Sequence, residues 1–230
     1  YDHIKERMLY ILNQIEEDLA SKVAKGLGME IPTEIDTPLN QAIGADADVE
    51  KHQPPQKKVY LDKSEALSQT HLSGNSIVSR KIATLVSDGF DGEALMNMKN
   101  ALEEKGAIIQ LVATHGGTVK CDKGKNHQVD AALLTTESVL FDAIFVPGGE
   151  ESVKDLLTEA KAKKFINESL MHCKAIAVSK EGEQLLDATY GKDFKDDQAV
   201  FINQSADDFA KAIANHRNWN REEKAKSIPA

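Results

Sequence analysis

From residue 80 onward the chain alternates short, wholly apolar runs with longer amphipathic stretches, and few folds accommodate that rhythm. Arg80 to Ser87 and Ala107 to Thr114 are β-rich, and Leu140 to Val146 is an apolar strand closed by Pro147-Gly148-Gly149. Ala175 to Val178 is another such strand. Between them Asp91 to Lys105 sets Leu95, Met98 and Leu102 on one helical face, and Ser152 to Leu157 and Lys161 to His172 also read as helices. Gly116-Gly117 and Lys123 to Asn126 mark the turns of a small excursion. A short β-like run at Ala199 to Asn203 and a helix over Asp207 to His216, with Phe209 and Ile213 inward, complete the series. Strands without polar alternation are buried on both faces, and strands separated by helices pair in parallel. The pattern therefore predicts a doubly wound α/β domain with a mostly parallel sheet.

The first third is built differently. Ile4, Met8, Ile11, Leu12, Ile15, Leu19 and Val23 recur at three- and four-residue steps, which predicts one amphipathic helix or a helix pair stopped by Gly26 and Gly28. Such a stripe cannot bury itself, so it must dock on the following domain, another chain or an N-terminal body. Because Tyr1 is not Met and the helix is under way by Ile4, we expect the chain to begin partway through a longer polypeptide. Residues 29–79 hold Pro32, Pro38, Pro54 and Pro55 without sustained periodicity, and read as an extended arm that wraps a partner surface. The expected organisation is a helical segment at 1–28, a linker arm at 29–79 and the α/β domain at 80–230.

Composition narrows the function classes. A net charge of −9 and a pI near 5.3 argue against a nucleic-acid footprint, which needs clustered Lys and Arg. No apolar run reaches the roughly 18 residues of a membrane span, and no signal pattern opens the chain, so a cytoplasmic protein is expected. Cys121 and Cys173 lack C-x-x-C spacing and read as free thiols in a reducing compartment. Cys173 opens a strand and is expected to be buried or at an edge, whereas Cys121, among lysines, is expected to be the exposed and more reactive thiol.

In a doubly wound sheet, chemistry belongs at the carboxyl ends of the strands. In the loop Ser87 to Glu93, Asp91 or Asp88 could face a pocket, but Asp91 stands where a helix N-cap is needed. In Val146-Pro147-Gly148-Gly149-Glu150-Glu151 the paired glycines could aim N–H groups into a cleft, or merely permit a turn with positive φ. The strand Ala175 to Val178 runs into Ser179 at the place of a nucleophile elbow. That elbow demands small residues on both sides; Ala177 satisfies it, Glu181 does not. The next residue is Lys180 rather than a histidine, and His115 is the only base candidate on that edge, so Ser179 is not expected to be a nucleophile. His216-Arg217-Asn218-Trp219-Asn220-Arg221 reads as a C-terminal packing and hydrogen-bond anchor around the single tryptophan.

With these residues in view, the loop Asp88 to Glu93, the Val146 to Gly149 turn and the Ala175 to Ser179 strand resemble the class I glutamine-amidotransferase-like superfamily in its PfpI-type branch. The resemblance places an acidic residue at Asp91 and a cysteine, often followed by histidine, at Ser179 and Lys180. Both the cysteine and that histidine are missing. Asp91, Gly148, Gly149, Ser179 and Lys180 are therefore vestigial pocket positions, with no catalytic, cofactor-binding or metal-binding residue assigned. Along the whole chain the sequence is similar to the C-terminal region of large-subunit catalases. The resemblance is carried by Asp18 to Gly28, the long connector, Ser64 to Ser68, the α/β domain and the ending His216-Arg217-Asn218-Trp219. It implies a flavodoxin-like domain with no cofactor of its own, attached to the catalase core of a homo-oligomeric, tetrameric haem enzyme that dismutates hydrogen peroxide. It also implies that haem and its tyrosine ligand lie outside this segment, since Tyr1, Tyr10, Tyr60 and Tyr190 sit in no such context. The expected role is stabilisation and chaperone-like shielding of unfolded clients. The alternatives are a divergent hydrolase or glyoxalase using Ser179, Asp91 and His115, and a metabolite-binding domain at Gly148-Gly149.

Overall fold

The computed structural model describes residues 1–53, 64–68 and 74–228. Pro54, Pro55 and Tyr60 lie outside the described residues. The chain forms two compact units, Tyr1–Ser64 and Glu65–Ala230.

In the first unit the N-terminal stripe becomes two packed helices, α1 (Asp2–Ile15) and α2 (Glu17–Leu27). Glu16 sits between them in extended conformation. Its N–H closes α1 on the Leu12 carbonyl at 2.8 Å, and its carboxylate accepts from the Asp18 and Leu19 N–H groups at 3.2 and 2.7 Å to start α2. Gly28, at φ 64°, ends α2 in the left-handed region, while Gly26 lies inside the helix and does not stop it. Leu9, Ala20 and Ala24 are buried, yet Ile4, Met8 and Ile15 remain more than half exposed, so much of the predicted stripe stays uncovered. The described part of the connector is tied rather than free. Asn40 and Gln53 exchange backbone-to-side-chain hydrogen bonds at 3.0 and 3.1 Å, and Asn40 Nδ2 reaches the His52 carbonyl at 3.0 Å.

The second unit is a doubly wound α/β domain. Its strands are β1 (Lys81–Val86), β2 (Ile108–Ala113), β5 (Ala131–Ala132), β6 (Ala143–Val146), β7 (Ala175–Val178) and β8 (Val200–Ile202), all parallel, in the order β5-β2-β1-β6-β7-β8. A separate antiparallel pair, β3 (Thr118–Lys120) and β4 (Asn126–Gln128), forms the excursion. The helices are α3 (Gly92–Glu103), α4 (Glu150–Thr158), α5 (Ala160–Met171), α6 (Glu183–Asp187), α7 (Ala206–Ala214) and α8 (Glu222–Ala225).

Successive strand residues enter opposite cores, as the period of two requires. Ala143, Phe145, Ala175 and Ala177 join Met98, Phe209 and Ile213 of α3 and α7. Ile144, Val146, Ile176 and Val178 join Leu156, Phe165, Ile166 and Leu185 of α4, α5 and α6. A third cluster seats the excursion, with Phe90 packed among Leu95, Val119 and Cys121 and its ring edge-on to His127 at 5.3 Å. Cys121 is consequently buried and packed against Gly92, not the exposed thiol anticipated. The run from Leu140 is a strand only from Ala143, because Ser138 to Leu140 form a 3-10 turn.

The amino ends of β6, β7 and β8 are closed by buried charge. The fully buried Arg221 side chain donates to Asp197 through Nε at 3.0 Å and Nη2 at 2.6 Å, and through Nη1 to the Lys174 carbonyl at 2.8 Å. Asn218 Nδ2 and the Ala199 N–H add bonds to the same carboxylate at 2.9 and 2.8 Å. The C-terminal anchor is thus Arg221 with Asn218, whereas Trp219 is 67% exposed. Burial pushes the Asp197 carboxyl up, but the Arg221, Ala199 and Asn218 donors outweigh it and hold the group below the usual aspartate value. Beneath lies Lys174, buried, its ammonium donating to the Ser138 carbonyl. Burial, with Arg217 adding to it, pushes Lys174 down to about 8, while Asp142 and Glu168 pull the other way.

Replacing Arg221 by Met leaves Asp197 buried without its counter-ion and is expected to cost about 3–5 kcal/mol in urea denaturation of this chain. A loss below about 1 kcal/mol, the scale of a surface pair, would mean that the clamp carries little of the fold. For Lys174 the folded value of about 8 lies below the ordinary 10.5, so between those values the unfolded chain holds a proton that the folded one has released. Stability therefore rises with pH across that window. Thermal melts should show this rise relative to Lys174→Met, a comparison that cancels the opposing titration of Cys173, whose thiol burial pushes up. Identical pH profiles would contradict it.

Candidate functional site

Three loops meet at the carboxyl ends of β1, β6 and β7, where a doubly wound sheet places its ligands. The first, after β1, is held from several sides. The Ser87 N–H donates to Ser152 Oγ at 2.8 Å, and the Ser87 hydroxyl reaches Asp155 Oδ2 at 3.0 Å. Asp88 Oδ1 accepts from the Lys120 N–H at 2.7 Å, which ties the loop to the β3–β4 excursion. Asp91 is an N-cap: one oxygen accepts from the Glu93 and Ala94 N–H groups at 2.9 and 2.8 Å. Its carboxylate is engaged in starting α3.

The Gly148-Gly149 turn lies directly against this loop. Both residues have positive φ, 88° and 90°, and the Gly148 carbonyl accepts from the Asp91 N–H at 3.2 Å. A Cβ on Gly149 would stand 2.7 Å from Phe90 Cα and 2.8 Å from Asp91 N, a collision with backbone that no rotamer relieves. Here the paired glycines let two backbones touch.

At the third loop Ser179 continues the ladder, its N–H on the Val146 carbonyl at 2.9 Å. Its hydroxyl donates to the Pro147 carbonyl. The Glu181 carboxylate leans over Gly148, where a Cβ would meet its Oε2 at 2.7 Å. Lys180 is exposed and forms no ion pair among the described residues. His115 is half-exposed; its ring contacts the Gly116 carbonyl at 2.9 Å and Asp88 Oδ2 at 3.9 Å, and Ser179 is not among its partners. The structure thus brings Asp91, Gly148, Gly149 and Ser179 together and leaves Lys180 and His115 outside. No nucleophile–base pair results. Glu181, a misfit at the elbow by size, covers the turn.

Beside Ser179 a cavity of about 310 Å³ opens between α3 and α7, over the carboxyl ends of β6, β7 and β8. Its floor is Ala177, with Met98, Phe145 and Phe201 around it and Asn97, Asn203 and Gln204 at the rim. The sequence patterning gave no sign of it, because it arises from one small floor residue rather than from a motif.

Comparison with known proteins follows this geometry. Residues 78–223 match the family described as the C-terminal domain found in long catalases. Over 234 residues the chain is 32% identical to Catalase HPII of Pseudomonas putida, covering 100% of this chain and 30% of that protein. Over 225 residues it is 31% identical to Catalase-B of Dictyostelium discoideum, covering 96% of this chain and 30% of that one. A solved two-domain protein from Anabaena variabilis, with DJ-1/ThiJ/PfpI-like and ferritin-like domains, is 20% identical and aligns with a TM-score of 0.46 over 49% of this chain and 34% of its own. The chain therefore spans about 30% of the length of the catalases it matches. With a family match covering its α/β domain and catalase similarity along nearly all its length, the chain belongs to the family of C-terminal domains found in long catalases.

Proposed function

We propose that the chain is the non-catalytic C-terminal accessory region of a haem catalase, whose parent polypeptide dismutates hydrogen peroxide. The observation that supports this most is the similarity to catalases over the whole chain, first unit included, and not over the α/β domain alone. In this reading residues 1–28 are the last helices of the catalase core, 29–79 an arm and 80–230 the appended domain. The exposed Ile4, Met8 and Ile15 are then the face that core would cover. The partners are that core and the other subunits of a cytoplasmic homotetramer, with unfolded clients as a further role.

In this reading haem and its tyrosine ligand lie in the parent's core. Tyr1 is 91% exposed and offers no enclosed axial ligand. Among the described residues no group of three or more His, Cys, Asp or Glu is arranged to hold a metal ion. No helix among the described residues is long and apolar enough to cross a membrane.

The reading is tested in the parent. Reading the encoding DNA upstream of Tyr1 should reveal an in-frame catalase core, and deleting 65–230 from that polypeptide should lower its thermal stability while peroxide turnover survives at low temperature. Unchanged melting after deletion would remove the stabilising role. The hydrolase alternative makes an opposite prediction. Because the Ser179 hydroxyl is committed to Pro147 and lacks a base, the purified chain should turn over neither methylglyoxal nor a peptide. Product formation that disappears in Ser179→Ala would overturn the non-catalytic reading.

A further inference from the structure

The cavity beside Ser179 has a chemistry that the accessory role does not require. Its floor and walls are Ala177, Met98, Phe145 and Phe201, all buried. Its rim carries three carboxamides: Asn97 from the middle of α3, and Asn203 and Gln204 from the loop after β8. None of the residues lining it is charged, in a chain of which 28% is Asp, Glu, Lys or Arg. None of the three carboxamide side chains is engaged by another protein group among the described residues. Asn203 is further held at φ 54°, a left-handed conformation that non-glycine residues seldom adopt, with its N–H fixed on the Val178 carbonyl at 2.9 Å.

The geometry points to a binding site for an uncharged ring that carries an amide-type donor–acceptor edge, such as a primary carboxamide or a nucleobase. This inference goes beyond the accessory role and stands or falls independently of it. An apolar, partly aromatic chamber with a few convergent polar groups is the usual form of a small-molecule site, and about 310 Å³ lies at the lower end of such cavities. Phe145 and Phe201 offer ring faces and edges, and Met98 a polarizable thioether, to a flat apolar body. A carboxamide both donates and accepts, so Asn97, Asn203 and Gln204 can pair with an amide edge in the way Asn and Gln pair with adenine. Either sign of ligand charge would lose its hydration against apolar walls with no counter-ion. Since the Ser179 hydroxyl is turned to the Pro147 carbonyl, the site binds without covalent chemistry.

The test uses the 230-residue chain, labelled with nitrogen-15, and three probes of one shape: benzamide, benzoate and benzamidinium. Benzamide should shift the side-chain NH2 resonances of Asn97, Asn203 and Gln204 and the backbone amides of Ala94 and Ala177, saturably. The two ions should bind at least about tenfold more weakly, the factor that each 1.4 kcal/mol of charge desolvation represents. Asn97→Ala combined with Asn203→Gly removes two exposed amides without touching the core, and should weaken benzamide by about tenfold. Ala177→Leu, which fills the floor, should abolish binding, with its melting temperature reporting whether the fold survives. Absence of saturable shifts up to the solubility limit of benzamide, shifts mapping elsewhere, or benzoate binding as tightly as benzamide would each overturn the proposal. So would benzamide binding unaltered by the Asn97→Ala, Asn203→Gly pair.

Discussion

A parallel sheet buried on both faces leaves only its two ends for polar business, and the second unit is organised by that constraint. Ala143 and Phe145 face one core while Ile144 and Val146 face the other, so β6 has no surface left for a charged side chain. The same holds for β7, where Ala175 and Ala177 alternate with Ile176 and Val178. Everything ionic in the middle of the domain is therefore pushed to the strand ends. At the amino ends this produces the Arg221–Asp197 clamp and the buried Lys174. At the carboxyl ends it produces the crowded loops around Gly148 and Gly149.

The two ends solve the problem differently. At the amino end the chain accepts buried charge and satisfies it: Asp197 receives Arg221, Asn218 and the Ala199 N–H, four short bonds on two oxygens. A pair this enclosed adds little net stability over an apolar substitute but fixes where the C-terminal segment lies. At the carboxyl end the chain removes side chains instead. Gly149 allows the loops after β1 and β6 to approach to backbone contact, leaving Asp91 the duty of starting α3. In the neighbouring loop after β7 the Ser179 hydroxyl ends on the Pro147 carbonyl.

The fold was legible because its signal is periodic and repeated. Ala175 to Val178 matches β7 residue for residue, and Leu95, Met98 and Leu102 are the buried face of α3 as spaced. What escaped was set by contacts distant in sequence. Cys121 looked exposed among lysines, yet the excursion folds back so that it packs on Gly92, about thirty residues earlier. The cluster His216 to Arg221 read as an anchor around Trp219; the tryptophan itself is exposed, and the partner at that end, Asp197, takes Arg221 and Asn218. Of the two glycines read as the helix stop, Gly28 carries the left-handed cap while Gly26 stays inside α2. The α6 helix, five residues long, is too short for any period to register. At the site, the N-cap role of Asp91 could be read from its position before the helix, whereas Glu181 leaning over Gly148 could not, because a side-chain direction is not encoded by spacing.

The contrast between the crowded turn and the neighbouring cavity carries the last step. Ala177 and Phe145 belong to the same core face, one residue small and the other large, and both line the cavity. The elbow turn a few ångströms of chain away is filled to the point where a single Cβ would collide. Tight closure at Gly148 and an open, uncharged chamber over Ala177 are thus opposite outcomes at one end of one sheet. Gly149 brings backbone onto backbone, whereas over Ala177 the same sheet end keeps a mouth ringed by Asn97, Asn203 and Gln204.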